Sequence, residues 1–113
     1  MKLSISGEAH NHHGSKGGTY FLQEDMINDK PYWIHQSGGK AVWWNSNDYW
    51  MVGKFENLGK DFGNIIGPSK NDSPPNQITN GWQYYYDGTN DDETNWHDTN
   101  GVHFEDWTFK PSK

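Results

Sequence analysis

Residues 2–6 alternate polar and apolar side chains around Leu3 and Ile5, the period-two pattern of a half-buried strand, and Gly7 ends the run. A polar stretch, His10-Asn11-His12-His13-Gly14-Ser15-Lys16-Gly17-Gly18, predicts a loop. Thr19-Tyr20-Phe21-Leu22 predicts a second strand, residues 25–30 a turn, and Pro31 the opening of a third strand. Tyr32-Trp33-Ile34-His35-Gln36 and Lys40-Ala41-Val42-Trp43-Trp44 flank Ser37-Gly38-Gly39, which reads as a hairpin with glycines free to take positive φ. Pairing Gln36 with Lys40 sets Ile34 opposite Val42 and Tyr32 opposite Trp44 on one face. The other face then carries Trp33 opposite Trp43 and His35 opposite Ala41.

The turn Asn45-Ser46-Asn47-Asp48 leads to Tyr49-Trp50-Met51-Val52-Gly53-Lys54-Phe55, a third strand of a meander. Its register is open by one residue, a slip that would exchange Trp50 and Tyr49 between faces. Residues 56–80 are rich in Gly, Asn, Asp and Pro and read as a long ordered loop with at most one short strand, anchored by Phe62, Ile65 and Ile66. Gly81-Trp82-Gln83-Tyr84-Tyr85-Tyr86 predicts another strand, residues 87–101 an acidic loop, and residues 102–109 a closing strand. Val102, Phe104 and Trp107 would point inward, with a bulge near Glu105-Asp106 if Trp107 and Phe109 share that face.

Composition sharpens this pattern. The 113 residues fit one domain, 1–113, and only 31% are hydrophobic, yet 7 Trp, 6 Tyr and 5 Phe supply large apolar areas. The core must be largely aromatic. Thirteen Gly, with many Asn and Asp, oppose a helical bundle. The expected architecture is therefore all-β: a small antiparallel β-sandwich or open barrel of about seven or eight short strands. A net charge of −6, with lysines scattered and no arginine, argues against nucleic acid as a partner. Cysteine is absent, so neither disulfides nor thiolate sites arise. No signal-peptide core or membrane-length apolar run occurs, and membrane insertion is not expected. The compartment stays open between cytosol and a mature secreted form, with an extracellular setting favoured.

The series Gly18-Thr19-Tyr20, Lys30-Pro31-Tyr32-Trp33-Ile34-His35, Val42-Trp43-Trp44, Trp50-Met51-Val52-Gly53 and Gly81-Trp82 resembles small aromatic modules of extracellular proteins of protists and invertebrates. That resemblance spans most of the chain and implies a β fold and an extracellular setting. It carries no catalytic residue.

The aromatic strands carry the first candidate chemistry. Sugar C–H faces pack on indole and phenol rings while Asn, Asp, Gln and His meet the hydroxyls, and this chain interleaves both sets. Trp33, His35, Trp43 and Trp50 form one candidate glycan patch, and Trp82, Trp96 and Asp98 a second beside the acidic loop. Aromatics are also the main core material, so each ring is weighed against burial. Asp87, Asp91, Asp92, Glu93 and Asp98 offer the oxygen ligands Ca²⁺ prefers, without an EF-hand pattern. On an extended segment His10 and His12 share a face and could bind a transition metal, with a solvated loop as the plainer reading. No cofactor is required.

Glu105 and Asp106 neighbour His103, but adjacent strand residues point to opposite faces and do not make an acid/base pair without a bulge. No phosphate loop, nucleophile elbow or zincin helix is present in the sequence. The leading expectation is a non-catalytic, lectin-like carbohydrate-binding module. Its rivals are a structural module that meets itself or another protein, and a small metal-assisted or acid/base enzyme using His35, His97 or His103.

Overall fold

The computed structural model describes residues 1–86 and 95–105. Asp87, Asp91, Asp92, Glu93 and Trp107 lie outside the described residues. The strands are β1 (Lys2–Ile5), β2 (Gly18–Leu22), β3 (Trp33–His35), β4 (Lys40–Trp44), β5 (Trp50–Lys54), β6 (Ile65–Ile66), β7 (Gln83–Tyr85), β8 (Trp96–Asp98) and β9 (Val102–Glu105). They form one antiparallel sheet in the order β8-β7-β6-β5-β4-β3-β2-β1-β9, curled into a half-barrel. This agrees with the expected small antiparallel all-β architecture, a sandwich or open barrel, with nine strands among the described residues where about seven or eight were expected.

The curl follows from connectivity. Eight inter-strand steps would separate the edges of a flat sheet by about 38 Å. Only Thr99, Asn100 and Gly101 join β8 to β9, and four Cα steps reach at most about 14 Å. The sheet must therefore bend until its edges approach. Across the seam the Trp82 and Phe104 rings lie 5.2 Å apart, while the Thr99 amide donates to the Trp82 carbonyl at 3.0 Å and the Ser6 amide to the Gly101 carbonyl at 2.8 Å, extending the β7/β8 and β1/β9 ladders into the short connection.

Curling gives the sheet an inside and an outside. Inside lies the main core, where Leu3, Tyr20, Val42, Trp44, Trp50, Val52, Ile65, Trp82, Tyr84, Val102 and Phe104 pack together. Outside, Tyr32, Ala41, Trp43, Met51 and Ile66 form a second cluster. The strands alternate between the two, so most central positions are apolar on both sides.

Four details depart from the sequence reading. Residues 10–16 are not a loop: α1 (Gly7–His13) is a short helix followed by a 3-10 turn, Gly14–Lys16. Seven residues do not make a helix stable alone. Ala9 buries fully in the inner core, His13 Nε2 donates to the Tyr85 carbonyl at 2.5 Å, and the His12 ring stacks on Tyr86 at 3.9 Å, so packing from β1 to β7 holds it.

The β3/β4 hairpin is shifted by one residue, pairing Trp33 with Val42 and Ile34 with Ala41. The Gln36 amide bonds the Thr19 carbonyl of β2, and residues 36–39 form a four-residue loop between β3 and β4. Trp33 then packs against the inner core while Trp43 belongs to the outer cluster, correcting the expectation that they share a face. The β4/β5 register pairs Trp44 with Trp50 and places Trp50 inside.

Phe62, expected as an anchor, is 67% exposed, whereas Ile65 and Ile66 are buried. Residues 96–98, expected in the acidic loop, form β8 and complete the edge beside β7. Among the described residues no helix is long and apolar enough to cross a membrane.

Closure is sensitive at Gly101, where an added Cβ would lie 2.1 Å from the Ser6 carbonyl oxygen. Gly101→Ala should lower unfolding free energy by about 1–3 kcal/mol, because backbone must move to relieve the overlap. Gly39→Ala, whose Cβ would meet nothing nearer than 3.9 Å, should be close to neutral. Urea titration of both variants measures the difference.

Candidate functional site

Of the sequence-nominated rings, most serve the core. Trp43, Trp50 and Trp82 are 0%, 2% and 1% exposed, and each indole N–H is spent on a backbone carbonyl: Lys60 at 2.9 Å, Ser73 at 2.7 Å and Ile78 at 3.0 Å. Trp33 is half-buried, 5.8 Å from the Trp50 ring. These rings cannot form the first nominated patch, because the face they would present is packed against the inner core or, for Trp43, lies beneath residues 58–63.

His35 is likewise buried. Its Nδ1 accepts the Ser37 amide at 3.0 Å, which leaves the proton on Nε2 to donate to the Gly17 carbonyl at 3.0 Å. Burial lowers its pKa, opposed by the Gly17 bond and assisted by Lys40. Burial lowers that of His13 as well, against the bond to Tyr85 and with help from Lys16 and His12. His10 and His12 do not share a face as they would on an extended segment. Two helical positions apart they point about 200° from one another, and His12 is taken up by Tyr86 and by Glu8 at 3.8 Å. Among the described residues no group of three or more His, Asp or Glu is placed to hold a metal ion.

Trp96 and Asp98 are placed differently. On the outer face of β5 to β8, Tyr49, Phe62, Ile66, Tyr85 and Trp96 line a groove of about 560 Å³ with Asn47, Asp61, Asn64 and Gln83 among them. Trp96 meets the Tyr85 ring edge-on at 5.4 Å. Asp98 accepts from Gln83 Nε2 at 2.9 Å and so orients that amide. Trp82 and Asp98 also touch a smaller cleft of about 370 Å³ beside Thr99 and Asn100, at which the indole is almost wholly covered.

The groove is built by backbone and amide chemistry that a pattern of apolar residues does not reveal. Gly53 lets residues 59–63 cross the sheet closely: a Cβ there would lie 3.0 Å from the Gly63 Cα and 3.1 Å from the Trp43 ring. A Cβ on Gly63 would collide with Met51 at 2.6 Å. Buried Asn45 receives the amides of Asn47 and Tyr49 at 2.9 and 3.1 Å and donates to Asp61 Oδ1 at 2.9 Å. Asn47 Nδ2 donates to the other Asp61 oxygen. Asp61 is thus held by two amides, and Phe62 beside it is projected into solvent. Sequence reading passed over Tyr49, Asp61, Phe62, Asn64, Gln83 and Tyr85; the signal available was an aromatic ring in a polar segment, Asp61-Phe62-Gly63-Asn64, flanked by glycine.

The depressed histidines fix the sign of an acid response. Below about pH 6.5 the unfolded chain takes up protons that folded His13 and His35 resist, so stability is complete above that pH and lost as pH falls toward their folded values. Thermal midpoints should hold between pH 7 and 8 and drop between about pH 6.5 and 5, with a shallower drop in His35→Gln. A midpoint that rises on acidification would contradict this. Comparison with protein-family models, curated proteins and solved structures found no match to the chain.

Proposed function

We propose that the protein is a carbohydrate-binding module whose ligand lies in the outer-face groove. The observation that carries the reading is the pairing of exposed or half-exposed rings, Phe62, Tyr85 and Trp96, with amides and a carboxylate already fixed by their own hydrogen bonds. Rings of this kind take the apolar face of a pyranose. Asn64, Gln83 and Asp61 supply donors and acceptors for its hydroxyls. Because Asn45 and Asp98 hold Asp61 and Gln83, little side-chain freedom is lost on binding. The volume falls in the usual range for small-ligand sites, roughly 300–1,000 Å³.

A second reading has the 67%-exposed Phe62 ring meet another protein or another copy of the chain. Sedimentation across a concentration series separates the two, since self-association requires a concentration-dependent change.

The direct test is a glycan panel read by tryptophan emission, run with Ca²⁺ and with chelator. Trp96 at the groove should report binding. Phe62→Ala should weaken a positive glycan about tenfold, the loss of about 1.4 kcal/mol of ring contact, with an unchanged thermal midpoint. A ligand bound equally well by Phe62→Ala and Trp96→Ala would place the site elsewhere, and silence across the panel would remove the reading.

A further inference from the structure

At one mouth of the half-barrel three lysines converge. Lys40 and Lys54 are direct cross-strand partners of β4 and β5, in line with Val42, Trp44, Trp50 and Val52 and so on the inner side of the sheet. Directly opposed side chains have Cβ atoms about 5 Å apart, and like charges there are destabilising. Lys40 Nζ donates to the Ser15 carbonyl at 2.6 Å, which brings it beside Lys16 in the 3-10 turn. Lys16 is only 8% exposed, its backbone tied by the Tyr20 hydroxyl to its carbonyl at 2.5 Å.

Among the described residues no ion pair joins a carboxylate to these lysines. The ion pairs of Lys30 with Asp72 and of His12 with Glu8 lie outside this cluster. The chain as a whole carries a formal charge of −6 with nine lysines, so three of them gathered without a counter-charge among the described residues run against its overall balance.

We propose that Lys16, Lys40 and Lys54 form a binding site for a tetrahedral oxyanion, a phosphate or sulfate group. Such a group accepts hydrogen bonds from several ammonium donors at once and neutralises the repulsion between Lys40 and Lys54. Burial, then the charges of Lys40 and Lys54, lower the pKa of Lys16, as expected of an ammonium lacking its counter-ion. The site is independent of the glycan groove, which lies on the outer face.

The test uses inorganic phosphate and sulfate against chloride at matched ionic strength and pH 7.5, followed by thermal midpoint and by NMR of the lysine Nζ groups. Methyl phosphate forms a further arm, because its binding shows that an ester is accepted and its exclusion that the free ion is the ligand. The expected result is a midpoint rise with phosphate or sulfate beyond that with chloride, and shifts confined to Lys16, Lys40 and Lys54. Lys40→Gln and Lys54→Gln should each weaken binding about fivefold, the effect of about 1 kcal/mol of Coulomb attraction near water. Both substitutions lie at accessible positions, and Lys16→Met, which keeps the buried stem, provides a third. An equal response to chloride, or affinity unchanged in Lys40→Gln/Lys54→Gln, would overturn the proposal.

Discussion

Strands β1 to β8 follow one another across the sheet, and β9 then pairs on the far side of β1, so consecutive β8 and β9 occupy opposite edges. Three residues connect them, and that tether is shorter than the sheet is wide. Everything else in the architecture answers to this constraint. The edges approach, α1 reaches from β1 to Tyr85 and Tyr86 of the β7 region, and Trp82 meets Phe104 across the seam. Within the connection, Gly101 continues the β1/β9 ladder so close to Ser6 that the position has no room for a Cβ.

Curling also decides what the aromatic residues do. A chain with few aliphatic side chains fills the interior with Tyr20, Trp44, Trp50, Trp82, Tyr84 and Phe104, and the hydroxyls and indole N–H groups of the buried Tyr and Trp must be paired. Trp50 and Trp82 meet that demand through the carbonyls of Ser73 and Ile78, and Tyr20 through that of Lys16. The same bonds fasten connecting segments to the barrel, so core and loops are stabilised by one set of contacts. Outside, Trp43 performs this office for the segment around Lys60, and the groove stands on the result.

The groove and the lysine cluster lie on opposite sides of one sheet and differ in kind. The first joins aromatic rings to amides that are already oriented; the second gathers positive charge at a barrel mouth. Their separation follows from strand alternation: even-numbered positions 40–44 and 50–54 face inward, while Met51 of β5, Ile66 of β6, and Gln83 and Tyr85 of β7 face outward.

The amino-acid sequence by itself determined the β class, the strands around Leu3, Tyr20, Val42, Val52, Tyr84 and Phe104, and the aromatic character of the core, because period-two alternation, glycine punctuation and side-chain area are local properties. Only tertiary structure decided the one-residue register of β3 on β4, in which Trp33 pairs with Val42. It also decided the helix at residues 7–13, which exists through contacts with β1 and β7 and has too few residues to declare itself. Above all it decided which rings meet solvent. Trp43 and Trp96 look alike in sequence, but one lies under a crossing segment that two glycines admit and the other stands at the sheet edge, and exposure of this kind is fixed by what the rest of the chain places on top.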